Sequence, residues 1–156
     1  MRSIEKITLI FVVIGMPFVL LFAVFVQTGF PDEQKGAVVI IGSSNIPQRS
    51  LSKMDIQHIF LGKKTKADST KITFVTLKGG DIHEIFLREY LSRTPAQYTK
   101  YWKKLIFTGQ GNAPKAFETE EDLVEYVRTN EGVIGYISAN TAKNIGNENL
   151  QQFTVQ

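Results

Sequence analysis

The chain has 156 residues, 43% of them hydrophobic, with 18 Lys+Arg against 15 Asp+Glu for a formal charge of +3. That length fits one domain plus a short extension. The absence of cysteine excludes disulfides, thiolate metal sites and a cysteine nucleophile, and the small positive excess gives no argument for nucleic-acid binding, so no nucleic-acid partner is expected, while it is compatible with an anionic ligand or an anionic membrane surface.

Residues 7–26, ITLIFVVIGMPFVLLFAVFV, carry no charge. As a helix such a run is about 30 Å long, the thickness of a bilayer core. Arg2 and Lys6 precede it and predict a cytoplasmic front end. A retained anchor and a cleaved signal peptide are the two alternatives. The length of the run, with only Val26-Gln27-Thr28 as a poor cleavage site, favours the anchor. Pro17 predicts a kink in the spanning helix. The expected organisation is a transmembrane anchor over 1–28, a polar linker over 29–36 (GFPDEQKG) and an α/β domain over 37–156.

AVVII, 37–41, is a continuous β-branched run and predicts a buried parallel strand. Ser43, Ser44 and Asn45 form the turn-rich loop after it. A helix follows with Ser52 as N-cap and Asp55 as its capping-box acid, and with Ile56, Ile59 and Phe60 on one face. Gly62-Lys63-Lys64 then has the form of a phosphate loop at first sight. It lies at a helix C-terminus, however, and lacks the GxxxxGK[ST] spacing, so it predicts a helix stop with a solvated basic turn.

KITFVTL, 71–77, predicts a second strand, followed by Lys78, Gly79, Gly80 and a helix from Asp81 to about Leu91 with Ile82, Ile85, Phe86 and Tyr90 inward. Strand, glycine loop and helix N-terminus form an arrangement able to seat an anion. Thr94-Pro95 opens a third helix with an apolar stripe of Tyr98, Tyr101, Trp102, Leu105 and Ile106, which reads as core. Residues 108–114 predict a loop. Thr119, with Asp122 as box partner, caps a helix that turns Leu123, Val124 and Val127 inward. VIGYI, 133–137, predicts a third strand, and LQQFTV, 150–155, an edge strand after a short turn or helix. His58 and His83 stand alone, without metal-ligand spacing, and predict exposed or half-buried helix positions. No carboxylate pair, triad or metal set suggests an enzyme, and no cofactor is implied. Alternating strands and helices predict an α/β domain with a mostly parallel sheet.

LSKMDIQHIFLGKKT, AQYTKYWKKLIFTGQGNAPKAFETEEDLVEYV and GVIGYIS together resemble the short phosphate ABC transporter substrate-binding-like proteins, relatives of the periplasmic phosphate-binding protein. The likeness covers roughly residues 37–140. It implies a single lobe of the type II periplasmic binding fold, where full members close two lobes on phosphate. Taken with the uncharged run and its basic front end, it gives the expectation of a bacterial protein anchored once in the inner membrane through residues 7–26, with its C-terminal domain in the periplasm. Family members hold phosphate at an Arg-x-x-Gly-Ser-Gly-Thr segment leading into a helix. The matching stretch here, Leu77-Lys78-Gly79-Gly80-Asp81, lacks the arginine and the hydroxyls and places an acid at the helix start. The candidate anion ligands are thus Ser43, Ser44 and Asn45 with Lys78, Gly79, Gly80 and Asp81, expected to converge at the carboxyl ends of parallel strands. Two functions follow as expectations. One is weak phosphate or oxyanion binding for a transporter or sensor. The other is a non-binding lobe that serves as a protein–protein subunit of an envelope complex.

Overall fold

A computed structural model describes residues 37–156, and the expected anchor and linker lie outside the described residues. No helix among the described residues is long and apolar enough to cross a membrane.

In chain order the elements are β1 (Val38–Ser43), β2 (Ser50–Leu51), α1 (Lys53–Phe60), β3 (Lys66–Ala67), β4 (Thr70–Lys71), β5 (Thr73–Leu77), α2 (Asp81–Leu91), α3 (Pro95–Phe107), β6 (Lys115–Phe117), α4 (Glu120–Thr129), β7 (Val133–Ser138), α5 (Ala139–Asn144), β8 (Leu150–Gln152) and β9 (Thr154–Val155). Local chemistry sets several boundaries. Ser52 and Asp55 form a reciprocal capping box at α1. Thr94 does the same with Gln97 ahead of Pro95 in α3. Thr119 Oγ1 accepts from the Asp122 N–H at α4, without the return bond that a full box would have. Gly62 takes φ +70 after α1, and the Lys63 and Lys64 N–H groups both donate to the His58 carbonyl. The Lys64 ammonium, and after it the Ser52 hydroxyl, hold the Asp55 carboxyl down to about pKa 2. Gly62-Lys63-Lys64 is therefore a helix stop, with one lysine folded back on the helix it ends.

The main sheet has the order β6-β5-β7-β1-β8. β5 pairs parallel with β6 and with β7, whereas β1 pairs antiparallel with both β7 and β8. Four of the five strands thus share one direction, and β1 alone runs against them. This corrects the expected parallel β1. Its apolar run reports cover on both sheet faces, which Ile40 and Ile41 bear out with no exposure, and carries no information on direction. The 150–155 segment is broken at Phe153: β8 joins the main sheet and β9 pairs with β2.

Helices cover both faces. On one, Tyr136 of β7 stacks on Phe86 of α2 with centroids 3.8 Å apart, and Phe60 of α1 and Trp102 of α3 complete the layer through Phe74. On the other, Gly135 leaves room for Leu123 of α4, whose side chain would lie 2.7 Å from a Cβ there. Two further expectations change. The buried face of α2 is His83, Phe86, Leu87 and Leu91, one residue round from the expected stripe, so His83 is core. In α3, Tyr98 and Trp102 are buried as expected, but Ile106 is 47% exposed.

Candidate functional site

The loop after β5 opens a cleft of about 280 Å³ at the carboxyl ends of β5, β6 and β7. Gly80 is the N-cap of α2, at φ 89 and ψ 170, a region that glycine alone occupies without strain. No side chain caps the helix, so its first N–H groups meet the cleft through Gly79 and Gly80. Asp81 is the first helical residue, at the helix start that the sequence predicts.

Carboxylates dominate this cleft. Asp81, Glu118, Glu120 and Glu121 all line it. Lys78, the expected cation, is ion-paired with Glu118. Glu120 Oε2 accepts from the Ser138 N–H at 2.8 Å and from Ser138 Oγ at 2.9 Å, while Ser138 Oγ accepts from the Thr141 N–H. The chain's own carboxylate thus sits where β7 passes into α5. A helix N-terminus favours an anion by about 0.3–1 kcal/mol. Each nearby carboxylate opposes that charge in turn, by about 1 kcal/mol at 4 Å in bulk water and by more where solvent is displaced, so four of them in one cleft outweigh a single helix terminus.

Below the loop, the Tyr136 hydroxyl accepts from the Leu77 N–H at 3.1 Å and shares a hydrogen bond with His83 Nδ1. Burial lowers the His83 pKa, partly countered by Glu84, and burial raises that of Tyr136.

Ser43, Ser44 and Asn45 lie elsewhere. Because β1 is reversed, its carboxyl end stands beside the start of β7: Gly42 pairs with Ile134, which also pairs with Phe74 of β5. Leu77 is then about 10 Å further along the sheet, at roughly 3.3 Å per residue. The structure does not bring the two halves of the expected site together. Ser43 is buried, and its hydroxyl donates to Asn45 Oδ1 and accepts from the Val133 N–H. Asn45 Oδ1 also accepts from the Gly132 N–H at 2.9 Å. Both side chains stitch the β1 loop to β7. Ser44 is exposed, on a separate cleft with Arg128 and Glu131. Sequence reasoning missed Glu118, Glu120 and Glu121; the acid run ETEED across the start of α4 was their signal.

No family model matches the chain, and no curated protein matches it. Among solved structures, PstS from Borrelia burgdorferi superposes with a TM-score of 0.58 at 18% identity, over 77% of this chain and 47% of that one. The fold is PstS-like. A phosphate ABC transporter substrate-binding protein from Clostridium perfringens, with bound phosphate, gives 0.55 at 18% identity, over 76% of this chain and 44% of its own. The chain thus spans less than half the length of each of these proteins. The resemblance noted from the sequence holds at the level of the fold.

Proposed function

We propose that this chain is a membrane-tethered, substrate-binding-protein-like half domain that works as a protein–protein interaction subunit of a bacterial envelope complex and does not retain phosphate on its own. The observation that carries this reading is the cleft at the start of α2. Its helix N–H groups are accessible, but four carboxylates line it and Lys78 is already paired. A single lobe adds a second penalty. An anion held from one side stays in water, where each contact is weakened by the higher dielectric. The tether rests on the uncharged residues 7–26 and the basic residues ahead of them.

Calorimetric titration of the full chain in detergent with inorganic phosphate tests the reading. No saturable heat is expected up to millimolar phosphate, a Kd that corresponds to about 4 kcal/mol of binding energy. A micromolar Kd overturns the proposal and restores a phosphate receptor, the function suggested by likeness to the phosphate-bound Clostridium protein.

A further inference from the structure

Helix α3 carries a feature that neither the fold nor the cleft uses. Tyr98 and Trp102 fix its inner face. Lys100, Lys103, Lys104 and Phe107 follow at i, i+3, i+4 and i+7 on the outer face, and all four are exposed. Phe107 ends the helix with 94% of its surface in water, beside the 47% exposed Ile106. None of the three lysines is ion-paired among the described residues. Charge is segregated on a larger scale too. Residues 90–117 hold Arg93, Lys100, Lys103, Lys104 and Lys115 and no acid, while the rest of 37–156 holds ten basic and twelve acidic residues. Arg93 and Lys115 are engaged over the Tyr101 and Tyr126 rings, which leaves the α3 lysines as the uncommitted cations of this segment.

We propose that the outer face of α3 docks on an anionic lipid surface, with Phe107 and Ile106 entering the headgroup layer and Lys100, Lys103 and Lys104 meeting lipid phosphates. Charge complementarity selects this occupant. A row of free lysines running into a protruding aromatic tip is the pattern of an interfacial helix, whose lysines spread to the headgroups while the apolar end is buried. The proposal rests on the tether proposed above, since a nearby bilayer makes so small a contact effective. It would hold the domain in one orientation and leave the acidic cleft of α2 for a partner.

The chain has no cysteine, so single substitutions give unique labels. Full-length protein with a fluorophore at Gln110→Cys, just beyond Phe107, is reconstituted into nanodiscs of phosphatidylcholine with or without phosphatidylglycerol, each doped with a headgroup-nitroxide lipid. Quenching at Gln110→Cys should rise at least about twofold with phosphatidylglycerol and fall back at high salt. A control label at the exposed Glu131→Cys should not respond. Lys100→Gln with Lys103→Gln and Lys104→Gln should abolish the rise, and Phe107→Ser should reduce it. All four positions are exposed, so the fold should persist, with helix content as the check. Quenching that ignores phosphatidylglycerol, or that survives the triple lysine change, overturns the docking while leaving the tether intact. Protein that fails to co-purify with the discs contradicts the tether, and the docking with it.

Discussion

Asn45 shows how the carbonyl oxygen of a plausible ligand side chain can be taken up by the fold. Its Oδ1 accepts from both the Ser43 hydroxyl and the Gly132 N–H. Asn45→Ala should therefore cost about 1–2 kcal/mol in chemical denaturation, the usual consequence of leaving such donors unpaired. Ser44→Ala, with its side chain in water, should stay within about 0.5 kcal/mol. His83 gives a pH signature. Its pKa is lowered in the fold, so the folded chain holds it neutral while the unfolded chain takes up a proton below about pH 6.5. Its contribution is present above that pH and is lost as the pH falls toward the folded value. Urea midpoints should thus drop between about pH 7.5 and pH 5, and His83→Gln, which keeps an acceptor but does not titrate, should flatten that drop. Asp55, held at about 2, lies outside this window.

At the scale of elements, what the sequence showed well was local chemistry. Ser52, Thr94-Pro95 and Thr119 marked helix starts because a cap is decided by a side chain and the N–H groups two or three residues on. The glycine loop before α2 was legible for the same reason. The direction of β1 was not, because it depends on partners some ninety residues away in β7, and with it went the union of Ser43 with Gly80. The burial of His83 escaped because its acceptability depends on the Tyr136 hydroxyl, from β7 some fifty residues on. β6, three residues long, was too short to show a period. Two glycines test the loop geometry. Gly80→Ala forces a Cβ into a conformation that favours glycine, but into open space, and should cost about 1–3 kcal/mol. Gly132→Ala meets the same kind of strain at φ +69 and also sets its Cβ 2.2 Å from the Lys71 carbonyl oxygen, so it should be clearly worse in thermal melts. Equal costs would mean that the contact between Lys71 of β4 and Gly132 yields.

The domain over 37–156 keeps part of its charge apart. Four carboxylates stand around the start of α2, at the ends of parallel strands, and three lysines without an ion pair among the described residues stand on α3. A phosphate attracted by the net +3 would find its cations at a helix flank and its helix N-terminus guarded by acids. Backbone amide resonances of the full chain read this site residue by residue during a phosphate titration. The Gly79, Gly80 and Asp81 amides should stay unmoved at millimolar phosphate in the native chain. They should begin to shift once Asp81→Ser, Glu118→Gln and Glu121→Gln are combined, with Glu120 kept to hold Ser138. Saturable shifts of Gly79 and Gly80 at micromolar phosphate in the native chain would contradict the reading and make the cleft a phosphate site.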